Sequence, residues 1–117
     1  MGIPVSDHRL IDLRSLALHR RVAEKLIQNP GLLARAKDNL VRWRRDADGR
    51  VSPCLDEWGR ILDAGLMETL RILAEDSDHA AALRQSTPFS GVLSPSERWN
   101  FLRLWQNRER FAPGGRK

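Results

Sequence analysis

Cysteine is nearly missing from this chain of 117 residues: Cys54 stands alone, so no disulfide can form within it. A single thiol suits a reducing compartment and leaves stability to packing. Long hydrophobic runs are missing as well. None approaches the roughly 18 to 20 apolar residues that span a bilayer, and the amino terminus lacks the basic-then-apolar order of a secretory leader. A cytoplasmic protein without a membrane partner is therefore expected. The three histidines, His8, His19 and His79, lie far apart, and with one cysteine they match none of the spacings that hold zinc, so no metal site is expected. A glycine-rich phosphate loop is also wanting, because Gly114-Gly115 follows no strand, and no cofactor is expected. No segment alternates apolar and polar residues over a useful length, and no internal repeat or low-complexity block occurs. These absences exclude a sheet protein and a solenoid.

What is present describes an ordinary globular chain, with 41% hydrophobic and 30% charged residues. The length fits one domain, expected over residues 1–111, with a disordered tail at 112–117 that contains Pro113-Gly114-Gly115. The net charge of +5 and pI near 10.6 invite a phosphate-binding reading. Only Lys25, Lys37 and Lys117 are lysines, and an arginine bias of this kind also follows from GC-rich coding alone. The charge is unevenly placed. Residues 51–86 hold seven acidic against three basic side chains, whereas residues 87–117 hold six basic against two acidic. A basic face must therefore be built from the two ends of the chain and not from its middle.

The apolar residues recur at helical spacing throughout, and the pattern predicts an all-α bundle of about five helices. A first helix, with Ser6 as its cap, carries Ile11, Leu16, Leu18, Val22, Ala23, Leu26 and Ile27 on one half of the wheel and ends before Pro30-Gly31. A second begins near Leu32, carries Ala36, Leu40 and Trp43, and ends in Arg44-Arg45-Asp46, followed by a mobile turn through Gly49-Arg50. Ser52-Pro53 starts a third, whose stripe of Leu55, Trp58, Leu62, Leu66, Leu70 and Leu73 is interrupted at Gly65, where a break is expected. Asp76 or Ser77 caps a short helix through Arg84. The next loop brings Phe89, Val92 and Leu93 and should be pinned to the core. Ser94-Pro95-Ser96-Glu97 is a capping box and must open the last helix, with Trp99, Phe101, Leu102 and Trp105 facing inward and Arg98, Arg103, Arg108 and Arg110 outward.

Few residues combine into reactive groups. Cys54 falls in a first helical turn, where a thiol can be activated, but Asp56 and Glu57 carry the wrong sign, so a buried or half-buried structural role is expected. Glu57 with Asp63, and Glu75 with Asp76 and Asp78, offer paired carboxylates that read equally well as solvated helix surface. The four tryptophans, Trp43, Trp58, Trp99 and Trp105, fall on or beside apolar stripes and are expected in the core; one found exposed would be an interface anchor. Arg42, Arg44, Arg45 and Arg50, with Arg103, Arg108 and Arg110, could meet a phosphate backbone or an acidic protein, and no helix-turn-helix accompanies them.

Two resemblances bear on function. The spacing Arg14-x-x-x-x-His19 is similar to that of ribonucleases of the HEPN superfamily (higher eukaryote and prokaryote nucleotide-binding), which are helical and of similar size. It implies a phosphate-polarising Arg14 and an acid/base His19, although in that family the motif lies late in the chain. On the wheel His19 falls at the edge of the apolar face and Arg14 well away from it, so a shared site would need a dimer. The segments Leu83-Arg84-Gln85-Ser86-Thr87-Pro88-Phe89-Ser90-Gly91-Val92-Leu93-Ser94-Pro95-Ser96-Glu97-Arg98-Trp99 and His8-Arg9-Leu10-Ile11-Asp12-Leu13-Arg14 resemble a group of small bacterial helical proteins of two-gene toxin–antitoxin modules. That resemblance implies a non-catalytic, antitoxin-like or accessory protein that docks on a partner protein, the product of a neighbouring gene.

The residues expected to carry such docking are Arg42, Arg44, Arg45, Arg103, Trp105 and Arg108. An enzyme is the less favoured reading. A HEPN-like ribonuclease using Arg14 and His19, and a sequence-tolerant nucleic-acid binder, stand as the alternatives, and a homo-oligomer is compatible with all three.

Overall fold

In the computed structural model, residues 7–46 and 52–107 are described, and they form six helices and no strand: α1 (Asp7–Gln28), α2 (Leu32–Asp46), α3 (Pro53–Ala64), α4 (Leu66–Ala74), α5 (Asp78–Arg84) and α6 (Pro95–Gln106). The all-α bundle of about five helices predicted from periodicity is what the chain adopts, the expected break at Gly65 dividing the third stripe between α3 and α4. The expected Ser6 cap, the turn through residues 47–50, the tail at 112–117, and Arg50, Arg108 and Arg110 lie outside the described residues. No helix among the described residues is long and apolar enough to cross a membrane.

Local chemistry sets the boundaries. The Ser52 hydroxyl accepts the Leu55 amide with Pro53 in the first turn, and Ser77 accepts the Ala80 amide at 3.1 Å. Ser94 and Glu97 exchange the two hydrogen bonds of a capping box, 3.1 and 2.7 Å long. Gly65 does break the third stripe. Its φ of +112° is open to glycine and strained for other residues, and its carbonyl oxygen accepts from both the amide and the hydroxyl of Thr69, at 3.1 and 2.8 Å.

The core gathers at the meeting of α1, α3, α4 and α5, with α2 against α3. Leu26, Trp58, Leu62, Leu73 and Leu83 are all but sealed from solvent, and each such aliphatic side chain contributes about 1.5–3 kcal/mol of transfer free energy. The loop after α5 is part of this core, as its composition implied: Phe89, Val92 and Leu93 are buried, and the Phe89 ring meets Trp58 edge-on with centroids 5.8 Å apart.

Helix α6 sits at the periphery, and this corrects two readings. It buries Phe101, but Trp99, expected inside, is 63% exposed, because the helix touches α1 along a narrow strip and Trp99 lies about 160° round from Phe101. On α1 the buried strip is also narrower than the apolar half-wheel. Ile11 and Ile27 fall beyond its edges and are exposed. Lys25 fixes the seam between the two helices by donating to the Val92 carbonyl at 2.7 Å and to the Glu97 carboxylate at 2.6 Å.

Candidate functional site

The histidine and arginine of the HEPN-like spacing part company in the fold. His19 faces the core, only 4% exposed. Its Nδ1 lies 2.7 Å from the Ser15 carbonyl oxygen, which can only accept, so Nδ1 carries the proton. Burial pushes the His19 pKa down to about 4, opposed by the Ser15 bond and assisted by the nearby Arg84 charge, so the ring is neutral at pH 7. Arg14 is exposed, about 140° round the same helix, in a cleft shared with Arg98 and Leu102. One chain does not bring the pair to a common ligand.

The other reactive groups are engaged structurally. The Glu57 carboxylate lies 2.6 Å from His79 Nε2 at the surface. Glu75 takes Arg71 and the Ser77 hydroxyl, each at 2.6 Å, and Asp76 lies 3.9 Å from Arg9. Cys54 is half-buried and packs against the core. Among the described residues, no three of the histidine, cysteine, aspartate and glutamate side chains gather as a metal ion would require.

The basic set of α2 divides between two tasks. Arg44 donates to the Leu55 carbonyl at 3.2 Å and to Asp56 at 3.1 Å, clipping α2 to α3, and its guanidinium lies where a side chain on Gly59 would otherwise be. Arg42 turns the other way and donates to Asn39 Oδ1 at 2.5 Å. Arg45 stays in solvent. Arg42, Asn39 and Trp43 line a cleft with Arg35, Asp38 and Ser90. Asn39 is 7% exposed and donates to the Pro88 and Ser90 carbonyls at 2.9 and 3.1 Å. Sequence reasoning missed Arg35, Asn39 and Ser90. The available signal was a polar Asn39 beside Leu40 on the buried stripe of α2.

On α6, Trp105 is half-buried and stacks on Phe101, centroids 6.3 Å apart. The opposite face carries Trp99 and, one turn on, Arg103, which reaches Asn100 at 3.4 Å. Leu104 is 55% exposed beside the α1 seam, in a cleft with Arg21, Glu24 and Lys25. The residues expected to form one docking surface thus occupy two places. Arg42 and Arg44 serve α2 and its neighbours, whereas Arg103 and Trp105 belong to α6.

No family model, curated protein or solved structure matches this chain.

Proposed function

We propose that the chain is a non-catalytic, antitoxin-like or accessory protein that docks on a partner protein through the outer face of α6 and its seam with α1. The observation that carries this reading is Trp99, held in water on a helix whose opposite side is fixed by Phe101. An exposed indole offers a large apolar area at small entropic cost, and tryptophan and arginine dominate interface hot spots. Arg103 lies one turn from it and Arg98 and Arg14 line the adjoining cleft, while Leu104, 55% exposed, lies about 140° round the helix at the seam with α1. This pattern fits a partner whose apolar pocket is rimmed by acidic groups. The burial of His19, which leaves its ring no access to a substrate, supports binding over the ribonuclease reading.

Co-expression with the product of the neighbouring gene tests the proposal. The two should co-purify, and Trp99→Ala or Arg103→Glu should weaken the complex by about tenfold or more while leaving the melting temperature in place. A chain that neither co-purifies with nor neutralises any neighbour's product would sink the reading.

A further inference from the structure

A second surface, remote in sequence from α6, is built between the middle of α2 and the turn after α5. Arg35, Asn39 and Arg42 follow one another at spacings of four and three, so they share one stripe of α2. They line a cleft of about 490 Å³ with Asp38, Trp43 and Ser90, a size that suits a small ligand. Asn39 makes its floor. The Asn39 amide group ties down the Pro88 and Ser90 carbonyls, and Asn39 Oδ1 holds one N–H of Arg42. Since a guanidinium has five N–H donors, Arg42 is positioned with donors to spare.

Arg35 is positioned from the other side. Gly91, at φ +81°, turns the chain past α2, and a Cβ there would lie 3.5 Å from Arg35 Nη2, so the guanidinium rests over the tip of the turn. Neither Arg35 nor Arg42 takes part in an ion pair among the described residues. Trp43, half-buried, also lines the next cleft, with Ser86 and Thr87, so its ring is a wall between two open spaces.

We propose that this cleft binds a nucleoside phosphate, with the phosphate between Arg35 and Arg42 and the base against the Trp43 ring. Guanidiniums match phosphate oxygens in pairs, and a planar base stacks on an indole whatever its identity. Asp38 accepts hydrogen bonds but repels a bare anion, so it suits sugar hydroxyls or a base amine. Inorganic phosphate satisfies the arginines alone and leaves Trp43 and Asp38 without a role. The ligand arrives either as a free mononucleotide or as part of a single-stranded RNA. The site does not depend on the docking face of α6.

Calorimetric titration of the full chain with the four common 5′-mononucleotides, with inorganic phosphate and with a 5′-phosphorylated RNA hexamer tests the assignment, melting curves confirming that each variant folds. At least one nucleotide ligand should bind about tenfold more tightly than inorganic phosphate, Arg35→Gln should weaken it about tenfold or more, and Lys37→Gln should leave it unchanged. Trp43→Leu should weaken the nucleotide but not inorganic phosphate. Mononucleotide binding assigns the free ligand; binding of the hexamer alone, falling steeply with salt, assigns RNA. The proposal is overturned by no binding up to about 5 mM, by inorganic phosphate binding as tightly as any nucleotide, or by a folded Arg35→Gln variant that binds like the parent.

Discussion

Trp58 Nε1 donates to the carbonyl oxygen of Leu83 at 2.7 Å, so the most deeply buried indole of the protein is tied to the last turn of α5, 25 residues away. A tryptophan enters a core at low cost only when its N–H finds such an acceptor. Leu83 O also receives the Ser86 amide at 3.1 Å, so it is not orphaned when the indole is removed. Trp58→Phe should therefore lose the indole bond and part of the packing, about 2–4 kcal/mol, and Trp58→Ala should fail to fold. Urea denaturation of Trp58→Phe measures this, and a loss below about 1 kcal/mol would contradict the assigned role.

The buried ring of His19 predicts a pH dependence. Its folded pKa, about 4, lies below the ordinary 6.5, so between those values the unfolded chain takes up a proton that the native ring refuses. The contribution to stability is complete above about 6.5 and is lost as pH falls towards 4. His19→Leu should flatten the denaturation midpoint across that window, leaving the parent steeper. An NMR titration placing His19 near 6.5 in the folded protein would be incompatible with this.

Glu97 acts in a lower window. Its hydrogen bond from Lys25, and next the Ser94 amide, hold its pKa at about 2, below the ordinary 4.5. The stabilisation is present above about 4.5 and fades as pH drops towards 2. Glu97→Gln should be less stable than the parent at pH 6, and this deficit should shrink on acidification to pH 3. Ser94→Ala, which removes the acceptor for the Glu97 amide and a side-chain hydrogen bond that helps to lower the Glu97 pKa, should cost about 1 kcal/mol at pH 6 and less at pH 3. Thermal melts of both variants at the two pH values separate the contributions.

At Gly65 the expected penalty is one of backbone alone. No atom lies within 4 Å of where a Cβ would stand, yet φ is +112°. Gly65→Ala should destabilise by about 1–3 kcal/mol without steric conflict. A neutral result in a denaturant titration would mean that the α3–α4 junction relaxes to a conformation open to alanine.

Much of the fold was legible before any coordinates, because helix ends are written in local chemistry. Ser52-Pro53, Ser77 and the box from Ser94 to Glu97 each satisfy amide groups a few residues away, so their effect hardly depends on the rest of the chain. Pro30 and Gly65 act through their own dihedral preferences and are equally local. The apolar periods told which side of a helix could be buried, and for Leu26, Leu40, Trp58, Leu62 and Leu73 that side is buried.

How much of each apolar face was used, and which polar residues entered the core, depended on contacts between distant segments. Trp99 and Phe101 differ little in character and both belong to the last helix, yet one is exposed and one buried, because only the placement of α6 against α1 separates them. His19 read as an edge residue until the packing of α1 against α4 and α5 enclosed it. Asn39 gained its role from carbonyls 49 and 51 positions away. Capping and turn chemistry act over three or four residues, so the letters alone marked most of the helix ends that the structure describes. The tertiary structure alone decided which side chains face water, since burial is a property of surfaces brought together from far apart in the chain.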